Sequence, residues 1–486
     1  MLFGSLIFVL AFLPVALVGY HALRLAGRQR AAKLWMVAAS LVFYGWWDMR
    51  YVALIGGSIL ANFALSRVME RRPERASALL GWGVAGNLAL LAYYKYAGFM
   101  LRSIDAALGL GWHIGHIVLP LAISFFTFQQ IAYLIESRRD GKAADSLTDY
   151  ALFVLFFPHL IAGPITHHKE MLPQFAVCGK GPVPRSYITV GTAVFIMGLA
   201  KKVVLADTLA LVANPVFTAA RDVGMLSAVQ GWTGALAYTL QLYFDFSGYS
   251  DMAIGLGLMF GILLPVNFAS PYKSTSIIEF WRRWHISLSR FLRNYLYFSL
   301  GGNRAGPVRR YANLLVTMLL GGLWHGAGWT FIAWGGLHGS YLILNHVWRH
   351  VAGHREGPLA RGAGWALTML GVIVGWVLFR ADSFEAALVV LRAMAGMGQA
   401  YPAYLVPPVL SWVAIAIGGA IALFLPNALE LARYPTSTPG LPIEHDGIVP
   451  ARWQPAPVLA ALALGVMAAV AFARLPDPGI FLYFNF

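Results

Sequence analysis

Apolar residues fill this chain in long runs, near residues 2–22, 32–48, 51–67, 77–99, 117–136, 187–211, 226–262, 312–346, 363–380, 405–426 and 455–474. A helix that crosses a bilayer needs roughly 20 mostly apolar residues, and most of these runs approach or exceed that length. The runs at 226–262 and 312–346 exceed one span, so each is expected to hold two helices or a span with a re-entrant piece. The pattern predicts an all-α polytopic membrane protein, with about 11–13 membrane-embedded helices in a single domain over the whole chain. The first run, Leu2 to Val18, lacks a basic leader and a clear small-residue cleavage site, and it reads as a retained helix.

Polar positions between the runs set an orientation. Arg24, Arg28, Arg30 and Lys33 follow the first run, Arg67, Arg71, Arg72 and Arg75 the third, and Arg138, Arg139 and Lys142 the fifth. The intervening turns carry far fewer cations. Alternate basic loops place the N-terminus outside and these three loops in the cytoplasm. Trp46, Trp47, Tyr93, Tyr94 and Tyr96 fit an aromatic belt at the outer face.

The middle of the chain breaks the rhythm. FVLFFPHLIAGPITHHKEMLPQF, residues 153–175, begins apolar and is then interrupted by Pro158, Gly163, Pro164 and Pro173. NFASPYKSTSIIEFWRRWHISLSRFLRNYLYFSLGGN, residues 267–303, is amphipathic and basic. Broken backbone at membrane depth is tolerated where protein or a water-filled cavity covers the freed polar groups. Re-entrant or interfacial helices around a recessed polar interior are therefore expected here.

Composition sharpens the class. Of 486 residues 59% are hydrophobic and only 12% charged, against about 25% charged in soluble domains. Mean hydropathy is +0.65. The formal charge of +15 lies in short loops, which the positive-inside rule explains without nucleic acid. One cysteine, Cys178, excludes an internal disulfide and a multi-cysteine metal site. His167-His168 has no obvious third ligand, and adjacent histidines point apart on regular structure, so no metal site is expected.

Ionisable groups inside spans are costly and read first as functional. His325 lies in NLLVTMLLGGLWHGAGWTFIAWGGLHG, residues 313–339, where Gly321, Gly322, Gly326 and Gly328 strip bulk from its surroundings. They would let a substrate or another helix approach; alternatively, His325 satisfies a neighbouring helix through one hydrogen bond. A second cluster is Phe280-Trp-Arg-Arg-Trp-His285, followed by Ser287, Ser289, Arg290 and Arg293. On a continuous helix Arg282, His285 and Ser289 share a face. It reads either as an aromatic-anchored interfacial helix or as a site where Arg282, Arg283 and Arg290 hold an anionic, phosphate-bearing thioester donor. The third cluster, QLYFDFSGYSD over residues 241–251, buries Asp245 and Asp251 in apolar sequence. One carboxylate is a candidate for orienting a histidine, and the other for positioning a bend near Gly248. Walker, GxSxG and HExxH motifs are missing. No internal repeat or paired intramembrane charge is visible, which argues against a transporter built from inverted repeats.

The stretches LYFDFSGYSDMAIGLGLMFGILLPVNFASPYKSTSIIEFWRRWHISLSRFLRNYLY and NLLVTMLLGGLWHGAGWTFIAWGGLHG resemble membrane-bound O-acyltransferases, the MBOAT family. FFPHLIAGPITHHKEMLPQF is similar to the bacterial branch that holds the alginate O-acetyltransferase membrane subunit. The resemblance spans most of the chain and is densest over about residues 150–380. It implies a helical bundle around a tunnel with an essential histidine at its narrow middle. The family's invariant histidine falls on His325, and the second active-site position, asparagine or histidine, falls on His285. A cytoplasmic acyl thioester donor, acetyl-CoA, is implied, with no tightly bound cofactor. So are an extracytoplasmic partner and a polysaccharide acceptor outside a bacterial inner membrane. The acceptor would be alginate, or else peptidoglycan, cellulose or teichoic acid. The ending Phe481-Leu-Tyr483-Phe-Asn-Phe486 resembles the tail of a small protein that works with the related D-alanyl transferase, which would make Tyr483 an acyl relay. Without the resemblance, an aromatic tail reads as an interface anchor.

Overall fold

The computed structural model describes residues 1–111, 115, 117–304, 306–353, 357–399, 408–434, 457–476, 479, 481 and 482. Every regular element among them is helical. In chain order the main ones are α1 (Phe8–Leu25), α2 (Gln29–Gly45), α3 (Arg50–Arg71), α4 (Pro73–Leu108), α5 (Ile123–Asp140), α6 (Leu147–Leu155), α7 (Phe157–Leu160), α8 (His168–Val177), α9 (Arg185–Asp222) and α10 (Ala228–Met259). They continue with α11 (Ile277–Arg283), α12 (Ile286–Phe291), α13 (Gly306–His325), α14 (Trp329–Ala352), α15 (Pro358–Arg380), α16 (Phe384–Met394), α17 (Pro408–Phe424), α18 (Ala428–Leu431) and α19 (Pro457–Arg474). Helices α1, α3, α4, α9 and α15 are long and apolar enough to cross a membrane.

The two overlong runs resolve differently. Residues 312–346 fold as two helices, α13 and α14, as their length predicts. Residues 226–262 instead give a single helix of 32 residues, α10, which continues unbroken through Gly248. That helix is about 48 Å long at 1.5 Å per residue. Residues 237–260 are all buried, so protein and not the bilayer sets its length. A helix that is apolar on every side is an enclosed helix.

The chain divides into two compact units: Met1–Phe195 with Asp251–Pro265 and the stretch from Arg433, and Ile196–Ser250 with Val266–Ala432 and the stretch from Gly447. In the first unit Phe3, Phe8, Phe43 and Phe157 form an aromatic knot with neighbouring ring centroids 5.0–6.2 Å apart. The broken segment threads this unit. Phe156 leaves helical geometry before Pro158, and the chain from 152 to 167 is buried throughout. Its freed polar groups meet protein: the Phe157 N–H donates to Ser40 Oγ (3.1 Å), and Gln129 donates to Thr166 Oγ1 (2.9 Å) beside His159.

In the second unit the frame is the α13–α14 hairpin. A Cβ on Gly322 would overlap the Phe331 carbonyl, and one on Gly335 would overlap the Met318 carbonyl. The two backbones are therefore in contact, an approach only glycine permits. Some of the bulk missing around His325 makes room for α14.

Candidate active site

His325 is the last residue of α13, 3% exposed. Gly326 and Gly328 follow it, and glycine has the lowest helix propensity after proline. A Cβ on Gly326 would run into the Phe331 ring, so the turn into α14 closes tightly under the imidazole. Among the described residues aromatic rings face it from Trp324 at 5.0 Å, Trp334 at 5.1 Å edge-on, and Phe379 at 5.3 Å edge-on. Behind Trp334, Trp376 stacks at 5.8 Å. Neither Trp334 nor Phe379 was singled out from sequence, although Trp376 and Phe379, at i and i+3, share one face of α15.

His285 lies 6.2 Å from His325, ring centre to ring centre, and is fully buried. At that spacing the imidazoles do not bond each other directly, but one bridging group reaches both. Arg282, His285 and Ser289 do not share a helical face, contrary to their spacing. Helix α11 ends at Arg283, and His285 takes left-handed backbone angles (φ 44°, ψ 55°) before α12 begins. The cause is tertiary. Residues 267–269 run alongside the break, with the Ala269 N–H donating to the Arg283 carbonyl (3.0 Å) and the Ile286 N–H to the Asn267 carbonyl (3.0 Å).

Asn267 fixes the histidine's tautomer. Its Oδ1 accepts from the Ser287 backbone N–H (3.2 Å) and from Ser287 Oγ (2.9 Å). A backbone N–H only donates, so the amide oxygen must point that way. The same oxygen is 3.1 Å from His285 Nδ1. Nδ1 therefore carries the proton in this bond, and in the neutral ring the lone pair lies on Nε2. The amide nitrogen donates onward to Ser250 Oγ (3.3 Å).

The three candidate donor-binding arginines have separate fates. Arg283 pairs with Glu279 (2.8 Å) and donates to the Ala269 carbonyl (3.2 Å), bracing the end of α11. Arg290 is half-buried on α12, and Arg282 is exposed. Arg282 shares the electrostatic neighbourhood of His346 with Arg310 and Arg349. Arg310 Nη2 is 3.1 Å from His346 Nδ1, and Arg349 donates to Ser276 Oγ (3.2 Å). This basic group lies fifteen residues from His325 along α13, about 22 Å.

Asp245 is engaged away from the two site histidines. It pairs with Lys202 (2.8 Å), a cation not singled out from sequence, and accepts from the Leu482 N–H (3.0 Å). Lys202 also pairs with Asp207 (2.6 Å). Paired charges in apolar surroundings thus exist where the sequence showed none, because their partners lie on different helices. Asp251 is buried on α10; six residues along a continuous helix place it on a different face from Asp245. Tyr483 lies outside the described residues. His167 and His168 do not point apart: they straddle the start of α8, and both direct Nδ1 at Glu136, at 3.7 and 2.7 Å. Among the described residues no group of three or more His, Cys, Asp or Glu is arranged to hold a metal.

Two imidazoles held side by side away from water suit proton transfer at a hydroxyl, and a polytopic helical frame around them is that of a membrane acyltransferase. The chain belongs to the membrane-bound O-acyltransferase family, whose model matches residues 142–355. It is 42% identical over 425 residues to a peptidoglycan O-acetyltransferase of Helicobacter pylori, covering 82% of this chain and 80% of the relative. It is 40% identical over 507 residues to the probable alginate O-acetylase AlgI of Pseudomonas putida, with both chains covered in full. A teichoic acid D-alanyltransferase of Streptococcus thermophilus is 29% identical over 236 residues, 47% of this chain and 57% of that one. The protein is a multi-pass membrane O-acyltransferase.

Proposed function

We propose that this enzyme moves an acetyl group from cytoplasmic acetyl-CoA to a polysaccharide hydroxyl outside a bacterial inner membrane, with an extracytoplasmic partner protein handling the polymer. The observation that carries this reading is the buried His325–His285 pair, 6.2 Å apart and walled by aromatic rings. His325 takes the proton of the acceptor hydroxyl as its oxygen attacks the thioester carbonyl. The tetrahedral intermediate collapses with cleavage of the carbon–sulfur bond, and the proton passes from His325 to the departing thiolate. An ester and a free thiol result. General-base assistance of this kind contributes about 10²–10⁴-fold.

His285 has Nδ1–H committed to Asn267, so it donates to the oxyanion from Nε2 only in its doubly protonated form. In the neutral form Nε2 serves as an acceptor that orients the attacking hydroxyl. The basic group of Arg282, Arg310 and Arg349 suits phosphate. Coenzyme A separates its phosphates from the thioester by a long arm, as these arginines are separated from His325. The passage for donor and acceptor is the tunnel implied by the family architecture. Alginate is the acceptor this reading favours, supported by full-length similarity to an alginate O-acetylase; similarity to a peptidoglycan O-acetyltransferase supports peptidoglycan as the second reading.

The test is His325→Ala in proteoliposomes supplied with labelled acetyl-CoA and candidate acceptors. Transfer should be abolished while the protein remains inserted and monodisperse. Retained transfer would sink the assignment. Analysis of the acetylated polymer in a deletion strain decides between the acceptors.

A further inference from the structure

Lys202 lies in the one π-wound stretch of α9, Lys201–Ala206, a local widening of a kind frequent at functional sites. Helix α10 approaches it closely at Gly248, where a Cβ would press on the Gly198 carbonyl and the Lys202 nitrogen. Asp245, one turn back on the same face of α10, is thereby brought within 2.8 Å of Lys202 Nζ. Asp207, just past the widened turn, also pairs with the ammonium, at 2.6 Å. Each carboxylate spends Oδ1 on Lys202. Each turns Oδ2 to the backbone of one short segment: Asp207 accepts from the Gly479 N–H (3.1 Å) and Asp245 from the Leu482 N–H (3.0 Å). Between them Phe481, 2% exposed, stacks on Tyr249 with centroids 4.5 Å apart.

A buried carboxylate is costly unless donors meet it, and beside Lys202 the two peptide N–H groups are such donors. We infer that Lys202, Asp207 and Asp245 form a docking site for the backbone N–H groups of Gly479 and Leu482, and that docking positions the chain there for onward transfer of the acyl group. Lys202, Asp207 and Asp245 are then positioning residues, and Asp245 holds this segment in place of the histidine-orienting role its sequence context suggested. The grip is on backbone, so it tolerates side-chain change at most places. It does not at 479: a Cβ there would lie 2.5 Å from Asp207 Oδ1 and 2.8 Å from its Cγ. The residue after Leu482 is Tyr483, so the grip ends directly before the candidate relay. The positioning role rests on the acyl-transfer reading above; the docking does not.

The experiment places a cysteine at Leu482 in a Cys178→Ser background and measures its rate of modification by a small maleimide in proteoliposomes, beside two activities: acyl transfer to acceptor and release of free thiol from acetyl-CoA by water. Lys202→Met and, separately, Gly479→Ala should speed labelling at least tenfold and cut transfer at least tenfold, with thiol release within twofold of the parent. Lys202→Arg should keep labelling slow and restore transfer. Gly479 lies outside the helices, so Gly479→Ala stays informative even where Lys202→Met fails to fold. Labelling that stays slow in Gly479→Ala overturns the docking. Fast labelling with undiminished transfer overturns the positioning role. A parent that protects position 482 yet transfers no acyl group overturns the acyl-transfer reading and leaves the docking intact.

Discussion

Asn267→Leu removes the acceptor on which the geometry of His285 depends, at nearly constant volume. Three donors converge on Asn267 Oδ1: His285 Nδ1, the Ser287 N–H and Ser287 Oγ. The hydroxyl rotates to find another acceptor, but the backbone N–H and the imidazole N–H do not. Leaving a buried donor unmet costs about 1–3 kcal/mol, so two of them cost about 2–6 kcal/mol. Part of this is returned. His285 is held at a positive φ of 44°, a conformation that costs a non-glycine residue about 1–3 kcal/mol, and the local chain relaxes once its anchor is gone. The net loss is about 1–3 kcal/mol, with an imidazole that no longer keeps its place or its tautomer. In detergent, followed by tryptophan fluorescence on heating, Asn267→Leu should unfold earlier than wild type. Its transfer rate should fall between tenfold and the ~10²–10⁴-fold attributable to a positioned proton-transfer group. Asn267→Asp keeps an acceptor for the His285 and Ser287 donors at the cost of a buried negative charge, so it should retain more activity than the leucine variant, which offers those donors nothing. An Asn267→Leu enzyme that is destabilised yet transfers within twofold of wild type would refute a functional role for the orientation of His285.

Arg310→Gln combined with Arg349→Gln should raise KM for acetyl-CoA at least tenfold while leaving KM for S-acetylpantetheine, which lacks the phosphates, within twofold; equal changes for both donors would remove the phosphate role. Gly335→Ala places a methyl group on the Met318 carbonyl and should destabilise the protein by about 1–3 kcal/mol by overpacking. Gly336→Ala meets only the Leu319 side-chain end at 3.3 Å and should be neutral or stabilising, because alanine is the better helix former; the order of their thermal midpoints checks the hairpin packing. Tyr483→Phe keeps the ring and removes the hydroxyl, so it should abolish transfer to the polymer if the hydroxyl carries the acyl group, and an unchanged rate would remove the relay.

The hydrophobic pattern determined the class of this protein, because the demand for about 20 apolar residues per span leaves a mark in any window of the chain. It also located the interrupted segments, since proline and glycine act on local backbone, and it marked His325 as a costly residue in apolar surroundings. Tertiary structure decided what these residues do to one another. Continuous-helix spacing put Arg282, His285 and Ser289 on one face, but pairing with residues 267–269 breaks the helix at His285 and turns the ring inward. Asp245 acquired Lys202 because Gly248 lets two distant helices touch, a contact invisible to local pattern. Residues 226–262 failed to split because a helix enclosed by protein is freed from the bilayer's length limit. Local rules reach one turn of helix along the chain. The bonds that orient His285, and those that link Asp207 and Asp245 to Gly479 and Leu482, join residues 18 to 272 positions apart, and only folding supplies them.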